Sequence, residues 1–269
     1  MIRIAVIGVT GRMGQTLVRL IVEAEGMELA GAATEPGDQS IGQDAGTLAR
    51  VGPLGVAVSE DLREALADSQ IAIDFTAPAA ADANIVACVE RRVALVMGTT
   101  GLSVEQHSAL DAAGRDIAVV YGRNMSVGVS VLTELVRRAS HALGDEFDVE
   151  ITEVHHRNKL DAPSGTALQL GEAVASERGT TLAESATYVR HGVESPREPG
   201  TIGFAVTRAG SIVGEHAVMF ASDEEIIELK HRALDRQVFA RGALRAAGWL
   251  NGKPNGLYSM KDVLGLTGR

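Results

Sequence analysis

Along the first half of the chain, short β-rich runs alternate with stretches whose apolar residues recur every three or four positions. Ile2 to Ile7 is such a run and ends at a glycine; Gly11 to Glu25 follows with apolar residues at Met13, Leu17, Leu20 and Ile21, the spacing of one helix face. A strand over Glu28 to Ala33, a weak strand at Val56 to Val58 and a helix opened by Ser59 as N-cap come next. "IAIDF" (Ile71 to Phe75) reads as a buried strand, with a helix after Pro78 to Arg92, and "ALVMG" (Ala94 to Gly98) as another. Ser103 and Gln106 have capping-box spacing for a helix before the strand "IAVVY" (Ile117 to Tyr121). Strands alternating with helices imply βαβ units and a mostly parallel sheet covered on both faces.

From about Val127 the pattern changes. One helix reaches Leu143, a strand alternates through "DVEIT", and a helix is expected from Ser164 to Ser176. Strand-like runs then succeed one another without helices: "TIGFAVTRAG", "SIVGEHAVMFAS" and "EEIIELKHRA". That is an α+β pattern with an antiparallel or mixed sheet. A last helix, Val238 to Leu250, is placed to pack back on the first domain. The expected domains are therefore 1–126 with 237–269, and 127–236.

Composition narrows the function. Thirty glycines and 3% aromatic residues suggest tight turns and an aliphatic core, and the net charge of −10 argues against nucleic acid, whose phosphates need concentrated Lys and Arg. The longest stretch without a charged residue, Val93 to Val104, has twelve residues and is too short to span a bilayer. "MIRIAVIG" carries no basic-then-apolar-then-cleavage pattern, so a cytoplasmic location and no membrane partner are expected. Cys88, the single cysteine, falls in the helical pattern "ANIVACVERR" and reads as a buried reduced thiol.

"IAVIGVTGRMGQTLVRL" joins a strand to a helix through glycines at 8, 11 and 14, with Thr10 at the second position of the usual G-x-G-x-x-G. Such glycines let a backbone approach a pyrophosphate, which then lies on the free N–H groups of the helix. The motif is weak alone and stronger here, after a strand and at the head of a βαβ series. Glu35, ending the second strand, is placed to accept from an adenosine ribose. Its neighbour is Pro36, no Lys or Arg stands between Thr34 and Ala49, and Arg12 is the nearest cation; the charges favour NADH over NADPH. "GTTG" (Gly98 to Gly101) and "GRNMS" (Gly122 to Ser126) leave strand ends where open sheets place ligands; Asn124 can cap the next helix as readily as it can bind nicotinamide.

"EVHHRNKLDAPSGTAL" (Glu153 to Leu168) carries far more titratable equipment than a strand-to-helix connection needs, which asks for a ligand. With "GRMG", "IDFT", "GTTG", "NMSVGV", "GTIGFAVTRAGSIVGEHAVMF" and "GLYSMKDVLGL", it resembles the 4-hydroxy-tetrahydrodipicolinate reductase (dihydrodipicolinate reductase) family over essentially the whole chain. The resemblance implies an α/β fold, a Rossmann-type dinucleotide-binding domain plus an α+β domain that binds substrate and builds a homotetramer. It implies NADH or NADPH as cofactor and, as substrate, a cyclic imine with two carboxylates in the diaminopimelate–lysine pathway. It makes His155 the acid/base and Lys159 a second proton donor, with His156, Ser164, Gly165, Thr166 and Thr100 toward the substrate. Gly8, Val9, Thr10, Gly11, Arg12, Met13, Glu35, Gly98, Thr99, Thr100, Gly122, Arg123, Asn124 and Met125 match its cofactor contacts. Family members that favour NADPH often carry Arg where this chain has Pro36.

On a strand, His155 and His156 point to opposite faces, so they do not share one role; for the same reason they chelate poorly with Glu153 and Asp161, and no metal is expected. His216 and His231 read as structural, and Glu224-Glu225 as a solvated turn. Two rivals remain: a dinucleotide-binding sensor that lost the chemistry, which would predict a degraded acid/base segment, and another nicotinamide-dependent reductase on the same two-domain plan.

Overall fold

A computed structural model describes residues 1–266. The chain runs through β1 (Ile2–Ile7), α1 (Arg12–Glu23), β2 (Met27–Ala33), α2 (Ala45–Leu48), β3 (Val58–Ser59), α3 (Leu62–Ala65), β4 (Ile71–Asp74), α4 (Pro78–Arg91), β5 (Ala94–Met97), α5 (Val104–Ala113) and β6 (Ala118–Tyr121). It continues with α6 (Val127–Leu143), β7 (Asp148–His155), α7 (Gly165–Glu177), α8 (Leu182–Ser185), β8 (Ala186–Thr187), β9 (Ile202–Arg208), β10 (Gly214–Ala221) and β11 (Ile226–Ala233). It closes with α9 (Gln237–Leu250), β12 (Gly256–Ser259) and α10 (Met260–Val263). Two compact units result: Met1–Val127 with the segment from Gln237 onward, and Gly128–Arg236.

The first unit is a seven-stranded parallel sheet in the order β12-β6-β5-β4-β1-β2-β3. Alternation along β1 sends Ile4 and Val6 to one face and Ala5 and Ile7 to the other. On the first face, Leu17 and Ile21 of α1, Ala243 and Ala247 of α9 and Met260 of α10 complete the core; on the second, Ile85 and Cys88 of α4 and Leu110 of α5 do so. Both faces are thus buried, and truncating a side chain such as Ile73 should cost about 2–5 kcal/mol.

The second unit is a five-stranded mixed sheet, β11-β10-β7-β9-β8, antiparallel across β11-β10-β7 and parallel across β7-β9-β8. Its core gathers Leu132 and Val136 of α6 and Leu170 and Val174 of α7 with Val149, Ile151, Phe204, Val218 and Phe220 of the strands.

Three features depart from expectation. Ser59 does not cap a helix: its backbone is held extended in β3, opposite Ala33, and Asp61 caps α3 by accepting from the Arg63 N–H. The weak strand expected at Val56 to Val58 lies at Val58–Ser59. β12 was invisible to periodicity because "GLYS" is four residues long and acquires its strand character by pairing with β6. As expected, a turn carries Glu224 and Glu225, whose N–H groups both donate to the Ser222 hydroxyl.

Candidate active site

In the first unit, the loop after β1 turns at Gly8, whose φ of 78° suits a residue without Cβ. Gly14 permits the close approach of α1: a Cβ there would lie 2.2 Å from the Gly8 carbonyl oxygen and 2.6 Å from Val9 Cα. No side chain caps α1 at Gly11 and no carboxylate occupies its first turn, so its N-terminal N–H groups and dipole face outward. This cradle fits a pyrophosphate. Val9 is fully buried and its N–H donates to the Ala33 carbonyl oxygen at 2.9 Å, while Thr10 bonds Thr34 through their hydroxyls at 2.9 Å. Arg12 is exposed and Met13 half-buried.

Glu35 stands exposed just past β2, and carboxylates surround the turn beside it. Asp38 accepts from Ser40 N–H at 2.7 Å, which holds it below the usual carboxylate range, and Glu60 accepts from Gly37 N–H at 2.9 Å. Further along the sheet's C-terminal edge, buried Asp74 accepts from Thr76 N–H, Asn84 Nδ2 and the Thr99 hydroxyl, tying the loops after β4 and β5 together. Thr99 is therefore left to meet a ligand through its backbone, whereas Thr100 is exposed. Asn124 Oδ1 accepts from Ser126 N–H at 2.9 Å in a turn just before α6, and the Met125 side chain lies in the core. Cys88 is buried in α4, and burial with Asp74 nearby pushes its thiol up.

In the second unit, β7 places Val149, Ile151, Glu153 and His155 on one face. Glu153, 1% exposed, receives His155 Nδ1, both Arg208 terminal nitrogens at 2.8 and 2.9 Å, and the Ser164 N–H at 2.9 Å. Burial alone would raise the Glu153 carboxyl, but Arg208, His155 and Ser164 together bring it below the usual range. His155 is held below the ordinary imidazole value because burial, helped by Lys159 and Arg208, outweighs the Glu153 charge. His216 packs edge-on against it, centroids 5.1 Å apart; burial, with His155 second, lowers His216 to about 4.

Beyond β7, His156 Nε2 meets Arg236 Nη2 at 3.0 Å, and Lys159 Nζ lies 2.8 Å from the Asp161 carboxylate. Burial would raise Asp161, but Lys159 and backbone N–H groups, Gly165 among them, lower it. A carboxylate therefore already lies between Lys159 and the start of α7. Ser164, expected toward the substrate, gives its N–H to Glu153, and its hydroxyl accepts from Ala167 N–H and bonds His216 Nε2 at 3.0 Å. It is a buried brace for the turn, with Gly165 and Thr166 following it in α7.

Sequence reasoning missed Arg208, Arg236 and the linking role of His216. The alternation E-x-H at 153 and 155 was a readable signal for Glu153. Arg208 opposite His155 and His216 opposite Glu153 follow from strand register, which sequence does not display. Among the described residues no metal-ligating cluster occurs, and no helix is long and apolar enough to cross a membrane.

Residues 2–125 match the family model described as dihydrodipicolinate reductase, N-terminus, and residues 128–264 match its C-terminus counterpart. The chain is 52% identical to the 4-hydroxy-tetrahydrodipicolinate reductase of Anaeromyxobacter sp. (strain Fw109-5), covering 99% of this chain and 98% of that one. It is 50% identical to the enzyme of that name from Alkalilimnicola ehrlichii, over 98% and 99% of the two chains. A solved dipicolinate-bound dihydrodipicolinate reductase from Paenisporosarcina sp. TG-14 shares the fold, with a TM-score of 0.73 at 24% identity over 96% and 97% of the chains.

Proposed function

The chain belongs to the dihydrodipicolinate reductase family of nicotinamide-dependent oxidoreductases, and on that premise we propose that it reduces 4-hydroxy-tetrahydrodipicolinate to tetrahydrodipicolinate, with loss of water and with NADH preferred. The product serves diaminopimelate and lysine biosynthesis. Bound nicotinamide supplies hydride for carbon 4 of the ring.

The first unit's residues serve binding: the Gly8–Met13 loop and α1 N-terminus take the pyrophosphate, Glu35 the ribose, and the loops at Gly98–Thr100 and Gly122–Met125 the nicotinamide half. In the second unit, Gly165 and Thr166 at the start of α7, with Lys159, take a substrate carboxylate, exchanging places with Asp161. His156 and Arg236 extend that cationic field. His155 donates the proton through Nε2, since Nδ1 faces Glu153, and Lys159 steadies the negative charge or donates in turn. A homotetramer in the cytoplasm completes the reading.

The observation that carries the proposal is the buried Glu153–His155 pair beside Lys159 and an α7 start already facing a carboxylate. The test is steady-state oxidation of NADH and NADPH, with substrate generated from pyruvate and aspartate semialdehyde by the upstream synthase. Turnover with both, faster with NADH, is expected. His155→Gln with Lys159→Ala should lower kcat about 10²-fold or more while NADH affinity stays within about twofold. Folded wild-type protein that binds NADH yet turns over neither coenzyme would instead be the sensor.

A further inference from the structure

Glu153 is buried on the same face of β7 as Val149 and Ile151, and an isolated carboxylate there would cost several kcal/mol. Its two oxygens are instead filled from three elements: His155 on its own strand, Arg208 on β9, and the Ser164 N–H that leads into α7. Arg208 is itself held by the Asp161 carbonyl oxygen at 2.6 Å, and its two terminal nitrogens pin both carboxylate oxygens, one of them the oxygen that meets the imidazole. On β10, a Cβ at Gly214 would come within 2.9 Å of His155 Nε2; the missing side chain leaves that nitrogen its space.

We infer that Glu153, anchored by Arg208, is the positioning residue of this site: it fixes the His155 ring with its proton on Nδ1, leaves Nε2 to exchange with substrate, and couples that ring to the turn that receives the substrate carboxylate. The inference rests on His155 as the proton-transfer group, and it adds the residue that decides which of its nitrogens acts. The arrangement is that of a carboxylate orienting a catalytic imidazole, where loss of the charge with geometry kept costs up to about 10⁴-fold in kcat.

The charged and titratable groups facing His155 are Glu153 from β7, Arg208 from β9, His216 from β10 and Lys159 from the following loop. Glu153 is the only anion among them. Without its charge, the remaining cations make the His155 proton easier to lose, so the high-pH limb of kcat should move to lower pH.

Glu153→Gln keeps the shape and removes the charge. A kcat fall of about 10²-fold or more with the limb displaced to lower pH is expected, while NADH affinity stays within about twofold. A kcat within about twofold of wild type, with an unmoved limb, overturns the inference. Should that variant fail to fold because Arg208 is left unpaired, Glu153→Gln with Arg208→Met removes both charges and is read in the same way. Independently, ¹⁵N spectra of the wild-type histidine rings, with His155 assigned by its absence in His155→Gln, report the tautomer. A proton on Nδ1 supports the inference and a proton on Nε2 overturns it. Full turnover by His155→Gln would refute proton transfer by His155, while the ¹⁵N spectrum would still decide what Glu153 holds.

Discussion

The two units build their sites from different materials. The crevice of the first is made chiefly of backbone: a glycine loop, an uncapped helix start, and loops tied by Asp74 to neutral donors. The site of the second is made of side chains, with Glu153, Arg208, His155 and His216 bonded or packed together beneath the surface. Peptide N–H groups do not titrate and survive most substitutions, provided the chain can come close enough. Buried charges are indifferent to neither pH nor the loss of one partner. The first site should therefore break through steric changes and the second through proton and charge changes.

The largest test of that division is Gly14→Ala. Its Cβ, 2.2 Å from the Gly8 oxygen, cannot be relieved by a side-chain rotation, so the loop must shift by about 1 Å, a displacement worth about 10²-fold. NADH affinity measured by fluorescence should fall by that order, while a cyclic dicarboxylate still binds with wild-type affinity. Equal weakening of both ligands would show that the two sites do not fail separately.

Legibility in the sequence divides along the same line. The parallel sheet and the glycine loop were readable because alternation and glycine spacing are local signals. His155 and Lys159 were readable as chemistry, and the family resemblance gave them roles. Arg208 was not, since only the parallel pairing of β7 with β9 sets it opposite His155. His216, read as structural, braces Ser164 for the same non-local reason, and Ser164 itself turned inward because Glu153 and His216 were waiting for its two polar groups. Ser59 failed as a cap because pairing with Ala33 overrode a local preference.

The next effect is acid sensitivity. His216 drops from 6.5 to about 4 on folding, so the fold favours its neutral form. Its contribution is whole above pH 6.5 and is lost as pH falls from 6.5 toward 4; at pH 5 the loss is about 2 kcal/mol. His155 shifts the same way, and Glu153, held low, adds its own loss once pH falls through the carboxylate range. Hydrogen exchange, corrected for intrinsic rates, should show protection of β7 and β10 amides falling more than tenfold between pH 7 and pH 5, with β1 and β4 changing far less. An equal fall in β1 and β4 would mean that the titrating network is not what separates the units.

The smallest effect falls at the one place where the first unit also relies on side-chain charge. Glu35, Asp38 and Glu60 gather around the turn at Pro36 without a cation from Thr34 to Ala49, so these carboxylates would repel a 2′-phosphate, and Arg12 of the glycine loop is the nearest cation in sequence. Pro36→Arg supplies a guanidinium that can reach such a phosphate from an exposed loop, where one charge pair is worth about 1 kcal/mol, or roughly fivefold. The ratio of kcat/KM for NADPH over NADH should rise by about that factor, with kcat for NADH unchanged because nothing near the reacting ring moves. The gain should shrink as salt is raised from low to physiological strength, since the pair is solvent-exposed. An unchanged ratio would mean that the three carboxylates outweigh the added cation, and then Glu35→Ser in the Pro36→Arg background should release it. A rise that ignores salt would instead point to backbone geometry freed by losing the proline ring, returning even this feature of the first unit to its main chain.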